Sequence, residues 1–315
     1  LLATLGVLLS TAFVGVLSWL AFGALGLELP LLGCLLFGAL IAPTDPIAVM
    51  AILRRSAVPA SLKTTISGES LFNDGIGLVV FLGLAELAAG EGDVAMSGAA
   101  LLFVEEVLGG IGFGLVIGWI AYRMLKSVDQ YQVEILVTLA LVTGGYALAQ
   151  RLHVSGPLAM VVAGLLIGNH GRSFAMSERT RQNLDAFWEL VDEFLNALLF
   201  VMIGLEVIVL QFTGSLFLAG LAAIPIVLAG RFASVGVPVL ILRRRRRFSA
   251  HAVKLMTWGG LRGGISVALA LSLPAGPERS ILVAVTYIGV CFSIIVQGLT
   301  IGPLVSALYP EKARR

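Results

Sequence analysis

Long apolar runs, separated by short polar stretches, dominate the chain and predict helices. They do not alternate in strand-sized pieces, so membrane-spanning helices fit them and a barrel does not. Ten candidate spans follow, at residues 1–23, 31–53, 62–87, 99–125, 131–152, 156–169, 187–210, 215–242, 254–273 and 280–308. The sixth is too short for a straight crossing. Two others are interrupted: the second by Ala42-Pro43-Thr44-Asp45-Pro46, and the ninth by Gly259-Gly260-Leu261-Arg262-Gly263-Gly264. They lie in the first three and the last three spans. Paired broken helices in corresponding positions of two halves mark the midplane site of a secondary transporter.

Composition agrees with this reading. Of 315 residues, 58% are hydrophobic and 13% charged, and the mean hydropathy is +0.99. A soluble domain carries about 25% charged residues, so this is an integral membrane protein. Cys34 and Cys291 sit in apolar runs without metal-ligand spacing and read as small buried hydrophobes. Leu1 opens directly into an apolar run, which leads us to expect an N-terminally incomplete chain.

The basic residues orient the spans. If the first runs from inside to outside, seventeen of the 21 fall in inside loops or the tail: Arg54, Arg55, Lys63, Arg123, Lys126, Arg172, Arg179, Arg181, the arginines at 243–247, Lys254, Lys312, Arg314 and Arg315. Arg151 and Arg279 fall outside, while Arg231 and Arg262 lie within spans. The positive-inside rule then gives ten spans with both ends cytoplasmic. The arginines at 243–247 read as a topology anchor attracting anionic lipid, not as a nucleic-acid patch.

Charge inside the apolar runs narrows the chemistry. Gly68-Glu69-Ser70-Leu71-Phe72-Asn73-Asp74 puts two carboxylates and an amide in the third span. A central Asp costs roughly 2.5–3.5 kcal/mol to insert, and such residues mark ion or proton paths. Glu69 and Asn73 are four apart and share a helix face, whereas Asp74 projects toward a neighbouring helix. Asp45 lies between two prolines. Pro46 has no N–H to donate, so the helix loosens near Thr44 and frees carbonyls that coordinate a cation or accept a cap. Sodium is a hard cation that prefers oxygen, and Asp74, Ser70, Thr44 and water supply it. A carboxylate that binds either a proton or a cation, but not both, is the minimal machine for exchange. Glu69 fits a salt bridge better than Asp74 does. Arg231 is its candidate partner, holding the third span against the eighth. Arg262 either pairs with an acid or neutralises carbonyl ends exposed at the helix break.

Other polar groups carry less. Glu189, Asp192 and Glu193 are read as opening the seventh span, where acids suit a helix N-terminus or line a vestibule. Glu206 reaches an interface, and Glu105 and Glu106 are interfacial or paired. His153, His170 and His251 lie at span ends, where a pH-sensing role is the weaker reading.

At these three passages, Ala42 to Pro46, Gly68 to Gly75 and Trp258 to Gly264, the chain resembles the monovalent cation/proton antiporters. The branch is that of the NhaP-type bacterial sodium/proton antiporters and the related sodium/proton exchangers. The resemblance covers essentially the whole chain. It implies an all-α polytopic thirteen-helix fold, with inverted three-helix core repeats beside a dimerisation bundle, of which these are the last ten helices. Residues 1–88 and 213–315 would form the two halves of an ion-carrying core, the latter with a short cytoplasmic tail. Residues 89–128 would be a linker helix and 129–212 the interface helices. The core would move against the dimer scaffold and expose Asp74 alternately to either side.

Carried over by motif, Asp74 resembles the exchanging carboxylate. The Asn73-Asp74 pair is related to electroneutral exchange of one cation for one proton. Ser70, Thr44 and Asp45 resemble the remaining site residues, Glu69 and Arg231 the supporting ion pair, and Arg262 the arginine of the second broken helix.

The expectation is a sodium (or lithium)/proton antiporter of the inner membrane. It would be a homodimer in the lipid bilayer, with no cofactor and no nucleic-acid partner. A potassium/proton exchanger of the same build is the nearest alternative. A proton-coupled organic solute carrier is less well served, because the polar groups are few and acidic. An enzyme is not expected. An intramembrane protease needs a Gly-x-Ser-Gly nucleophile with a membrane His, or a Gly-x-Gly-Asp and Tyr-Asp pair, and neither arrangement stands at membrane depth.

Overall fold

The computed structural model describes residues 2–54, 56–89, 96–168, 176–209, 214–244 and 248–310. Arg55, Arg172, His170, the arginines at 245–247, Lys312, Arg314 and Arg315 lie outside the described residues, as does the side chain of Glu206. The elements in chain order are α1 (Thr4–Ala24), α2 (Leu31–Ile41), α3 (Ile47–Arg54), α4 (Ala60–Ala89), α5 (Met96–Ser127), α6 (Tyr131–Arg151) and α7 (Gly156–Leu166). There follow α8 (Glu178–Val209), α9 (Gly214–Leu242), α10 (Ala252–Trp258), α11 (Gly264–Ser272), α12 (Pro277–Phe292), a π-helical turn (Ser293–Gln297) and α13 (Gly298–Leu308). Among the described residues no strand occurs beyond a single isolated bridge. Six helical stretches are long and apolar enough to cross a membrane, and α2 and α7 are shorter apolar helices. This is a multi-pass α-helical membrane protein.

The chain divides into two compact units, Leu1–Asp93 with Val209–Arg315, and Val94–Ile208. In the first unit, both broken spans are interrupted where expected. α2 stops at Ile41, and α3 restarts from the Pro46 carbonyl, which accepts from Met50 N at 2.7 Å. α10 ends at Trp258, where Gly259 N returns to Leu255 O at 2.8 Å, and α11 restarts at Gly264. Both halves feed one core: Val49, Leu53, Leu62 and Ile66 pack with Val235, Leu255, Met256 and Ile301. The outward faces stay apolar, with Leu240 68% and Leu299 75% exposed. Such residues are solvated by lipid chains in a spanning helix, not stranded in water.

In the second unit, α5 packs on both α6 and α7. α7 begins with Ser155 accepting from Leu158 N at 3.4 Å, followed by Pro157 in the first turn. Glu134 is buried in the first turn of α6 and accepts from Thr180 Oγ1 at 3.1 Å, while Trp188 Nε1 donates to Thr138 Oγ1 at 3.1 Å. The two bonds tie α6 to α8.

One expectation needs correction. The apolar run places the seventh span at 187–210, but α8 starts at Glu178, where Ser177 Oγ accepts from Thr180 N at 3.4 Å. Glu189, Asp192 and Glu193 therefore lie within the helix, exposed, and do not open it. The polar turns that open α8 carry no apolar signal, so the apolar run begins only after them. The last span, read from 280 to 308, is one helical stretch, Pro277–Leu308, that includes the π-helical turn at Ser293–Gln297.

Candidate ion-binding site

The two breaks meet. Asp45 and Leu261 form an isolated antiparallel bridge, with Asp45 N donating to Leu261 O at 2.8 Å. An unwound backbone in a membrane needs partners for the polar groups its helix no longer pairs. Each break supplies one to the other, and Arg262 supplies more. Its Nη1 donates to Ala42 O at 2.6 Å and Pro43 O at 3.0 Å. Of the two roles open to Arg262 in the sequence, these contacts correspond to carbonyl neutralisation, directed at the opposite break and not at its own. The guanidinium stands where the negative end of the α2 dipole collects.

The second break is held from behind by residues that sequence reading did not single out. Ser293 Oγ accepts from Arg262 N at 2.8 Å, and Gln297 Nε2 donates to Trp258 O at 2.9 Å. Both belong to the π-helical turn, and both reach the break. A polar Ser and Gln at 293 and 297, in an otherwise apolar run, were the only available signal.

On α4, Glu69, Ser70 and Asn73 are buried, and Thr44 of the first break is buried against them. Asn73 uses both ends of its amide. Nδ2 donates to Thr44 Oγ1 at 2.8 Å and to Glu69 Oε1 at 3.1 Å, and Oδ1 accepts from Thr44 N at 3.3 Å. Thr44 Oγ1 and Ser70 Oγ share a hydrogen bond at 3.0 Å. A hydroxyl oxygen has two lone pairs, and Asn73 occupies one of those on Thr44, which fixes its direction.

Glu69 is paired. Arg231 Nη1 and Nη2 donate to Glu69 Oε1 and Oε2, each at 2.6 Å, and Arg231 Nε reaches Met256 O at 3.3 Å. This bidentate geometry satisfies both buried charges. Asp74 differs. It is only partly buried as a residue, yet its Oδ1 is buried with no hydrogen-bond partner. It lies within electrostatic reach of Asp45, Glu69 and Arg262. Arg262 Nη2 is also buried and unpartnered. The structure thus brings Thr44, Asp45, Glu69, Ser70, Asn73, Asp74, Arg231 and Arg262 into one cluster in the first unit. Among the described residues, no group of three or more His, Cys, Asp or Glu side chains is arranged to hold a metal ion.

Comparison with known proteins follows the same lines. The family model for the transmembrane part of sodium/hydrogen exchangers matches residues 1–307. The chain is 54% identical over 316 aligned residues to the Na(+)/H(+) antiporter NhaP of Pseudomonas aeruginosa, covering 98% of this chain and 74% of that protein. It is 36% identical over 318 residues to the Na(+)/H(+) antiporter NhaH of Halobacillus aidingensis, covering 98% of this chain and 75% of that one. In fold it is similar to the sodium proton antiporter MjNhaP1 from Methanocaldococcus jannaschii at pH 8, with a TM-score of 0.78 and 21% identity over 98% of this chain and 78% of that chain.

Proposed function

The chain belongs to the sodium/hydrogen exchanger family, and from that premise we propose that it exchanges sodium for protons at Asp74. One observation carries the assignment: Asp74 Oδ1 is a buried carboxylate oxygen without a partner, while the neighbouring Glu69 is neutralised by Arg231. A carboxylate already held by a guanidinium has little to gain from a proton or a cation. A carboxylate with a buried, unbonded oxygen and no guanidinium pair gains from either, and taking one excludes the other.

Thr44 Oγ1 and Ser70 Oγ contribute neutral oxygens to the same cluster. Asn73 positions Thr44 and adds no charge of its own, which supports electroneutral exchange of one cation for one proton. Asp45 and Arg262 set the local field at the crossing of the breaks. Residues 1–88 and 213–315 then act as the ion-carrying core, 89–128 as a linker and 129–212 as interface helices of a homodimer. The loop placement of the basic residues supports an inner-membrane protein with both ends of this chain cytoplasmic.

The test is acridine-dye dequenching in everted vesicles on adding sodium, then potassium, with Asp74→Asn alongside. The expected result is sodium-driven proton movement that Asp74→Asn abolishes while its melting temperature in detergent is retained. Exchange at wild-type rate by Asp74→Asn would refute the assignment, and a response to potassium alone would change the cation.

A further inference from the structure

A continuous α-helix bonds each N–H to the carbonyl four residues back. Through the second break that rule would join Arg262 N to Trp258 O, but each of these is bonded elsewhere. Arg262 N donates to Ser293 Oγ at 2.8 Å, and Trp258 O accepts from Gln297 Nε2 at 2.9 Å. Ser293 and Gln297 are themselves four apart in the last span, and both are buried. The hydroxyl replaces the carbonyl and the amide replaces the N–H. One helical hydrogen bond is thus divided between two side chains.

The first break is kept apart by different means. A helix would partner Ala42 O with residue 46, but Pro46 has no N–H, and Arg262 Nη1 takes that carbonyl at 2.6 Å. Proline alone prevents this bond from forming. The second break carries Gly259, Gly260, Gly263 and Gly264 and no proline, so both partners of its helical bond exist. Glycine imposes no backbone conformation of its own. The bond is therefore free to re-form unless its two ends are occupied, and Ser293 and Gln297 occupy them.

We propose that Ser293 and Gln297 are positioning residues of the ion site, holding the second break open by replacing the helical bond between Arg262 and Trp258. Leu261 O accepts from Asp45 N at 2.8 Å, and Arg262 Nη1 reaches Ala42 O and Pro43 O. Restoring the helical bond would wind Leu261 and Arg262 back onto α10 and draw them from the first break. Thr44 and Asp45, which follow Pro43, would then lose their support. The consequence for sodium rests on the exchange reading above: a less fixed Thr44 holds the cation more weakly. Thr300 gives the contrast. Its Oγ1 accepts from Trp258 Nε1 at 2.9 Å, so the last span also holds this tryptophan by its ring, without touching either parted backbone group.

The test compares Ser293→Ala, Gln297→Met, their double variant and Thr300→Val. Melting temperature is read in detergent, and sodium-driven proton movement in vesicles over a sodium series. Each of the first two leaves one backbone group without its partner and lowers the melting temperature. The double variant frees both groups to bond each other, so it should melt no lower than the less stable single, whereas independent losses would add. Sodium KM should rise about two- to tenfold in Ser293→Ala and in Gln297→Met, the worth of one hydrogen bond, with a smaller change in maximal rate. Thr300→Val should keep the wild-type KM. A double variant whose losses add would overturn the shared bond. Lowered melting temperatures at unchanged KM, or an equal KM rise in Thr300→Val, would overturn the positioning role. If the wild type moves no protons with either cation, the exchange reading fails instead. The melting comparison still decides whether the two side chains replace one helical bond.

Discussion

Arg231 grips Glu69 through both terminal nitrogens, each at 2.6 Å, across 162 positions of sequence. The pair joins α4 to α9 and leaves Asn73 a fixed acceptor in Glu69 Oε1. Removing one partner of a buried pair strands the other charge, at a cost of roughly 3–5 kcal/mol.

Glu69→Ala is therefore expected to lower the melting temperature in detergent strongly. The double replacement Glu69→Leu with Arg231→Met, which strands no charge, should melt higher than Glu69→Ala alone. A single variant that melts with wild type would show that the pair contributes nothing to stability.

Arg262 poses a sharper chemical question, because one nitrogen serves two carbonyls, Ala42 O and Pro43 O. Lysine keeps the charge but offers a compact ammonium in place of a planar fork. Hydrogen bonds to charged groups are worth about 1.5–3 kcal/mol each, so Arg262→Lys should lose part of this anchoring. The expected outcome is a lower melting temperature and slower sodium-driven proton movement in vesicles. Unchanged values for both would mean that the charge alone suffices.

The Asn73 amide makes three hydrogen bonds, two of them to Thr44. Asn73→Ala leaves the Thr44 N–H and hydroxyl without those partners, costing about 1–3 kcal/mol. Thr44 is then free to turn away from Ser70. The expected signature is a raised sodium KM with a smaller change in maximal rate, read from proton movement over a sodium series. A changed maximal rate at constant KM would place Asn73 in the conformational step instead.

Much of this site is legible in the sequence, for physical reasons. Proline and paired glycine interrupt helices wherever they fall, so both breaks show as Pro43, Pro46 and Gly259 to Gly264. A charge in an apolar run is conspicuous because it is costly, which singles out Glu69, Asp74, Arg231 and Arg262. What is not legible is which distant group answers each. The Asp45–Leu261 bridge and the reach of Arg262 to Ala42 join residues more than 200 apart, and no local period records them. Ser293 and Gln297 are hidden for a related reason: the groups they bind, Arg262 N and Trp258 O, stand 31 and 39 positions away. The polar opening turns of α8 were missed because hydropathy marks only what lipid covers.

Two glycines, Gly260 of the second break and Gly236 of α9, separate close approach from mere flexibility. A Cβ built on Gly260 falls 2.5 Å from Arg231 Nε, while one built on Gly236, on the same helix as Arg231, meets nothing within 4 Å. Gly260→Ala must push the guanidinium aside, loosening its bonds to Met256 O and Glu69 together. Gly236→Ala meets no obstacle and removes a flexible residue from a helix interior, a gain of about 1 kcal/mol on propensity scales. The two substitutions add the same methyl group and should move the melting temperature in opposite directions, with exchange lost only in Gly260→Ala. Equal tolerance at both positions would show that Arg231 has room to move, and that the fixed geometry of the Glu69 pair is not what holds the site.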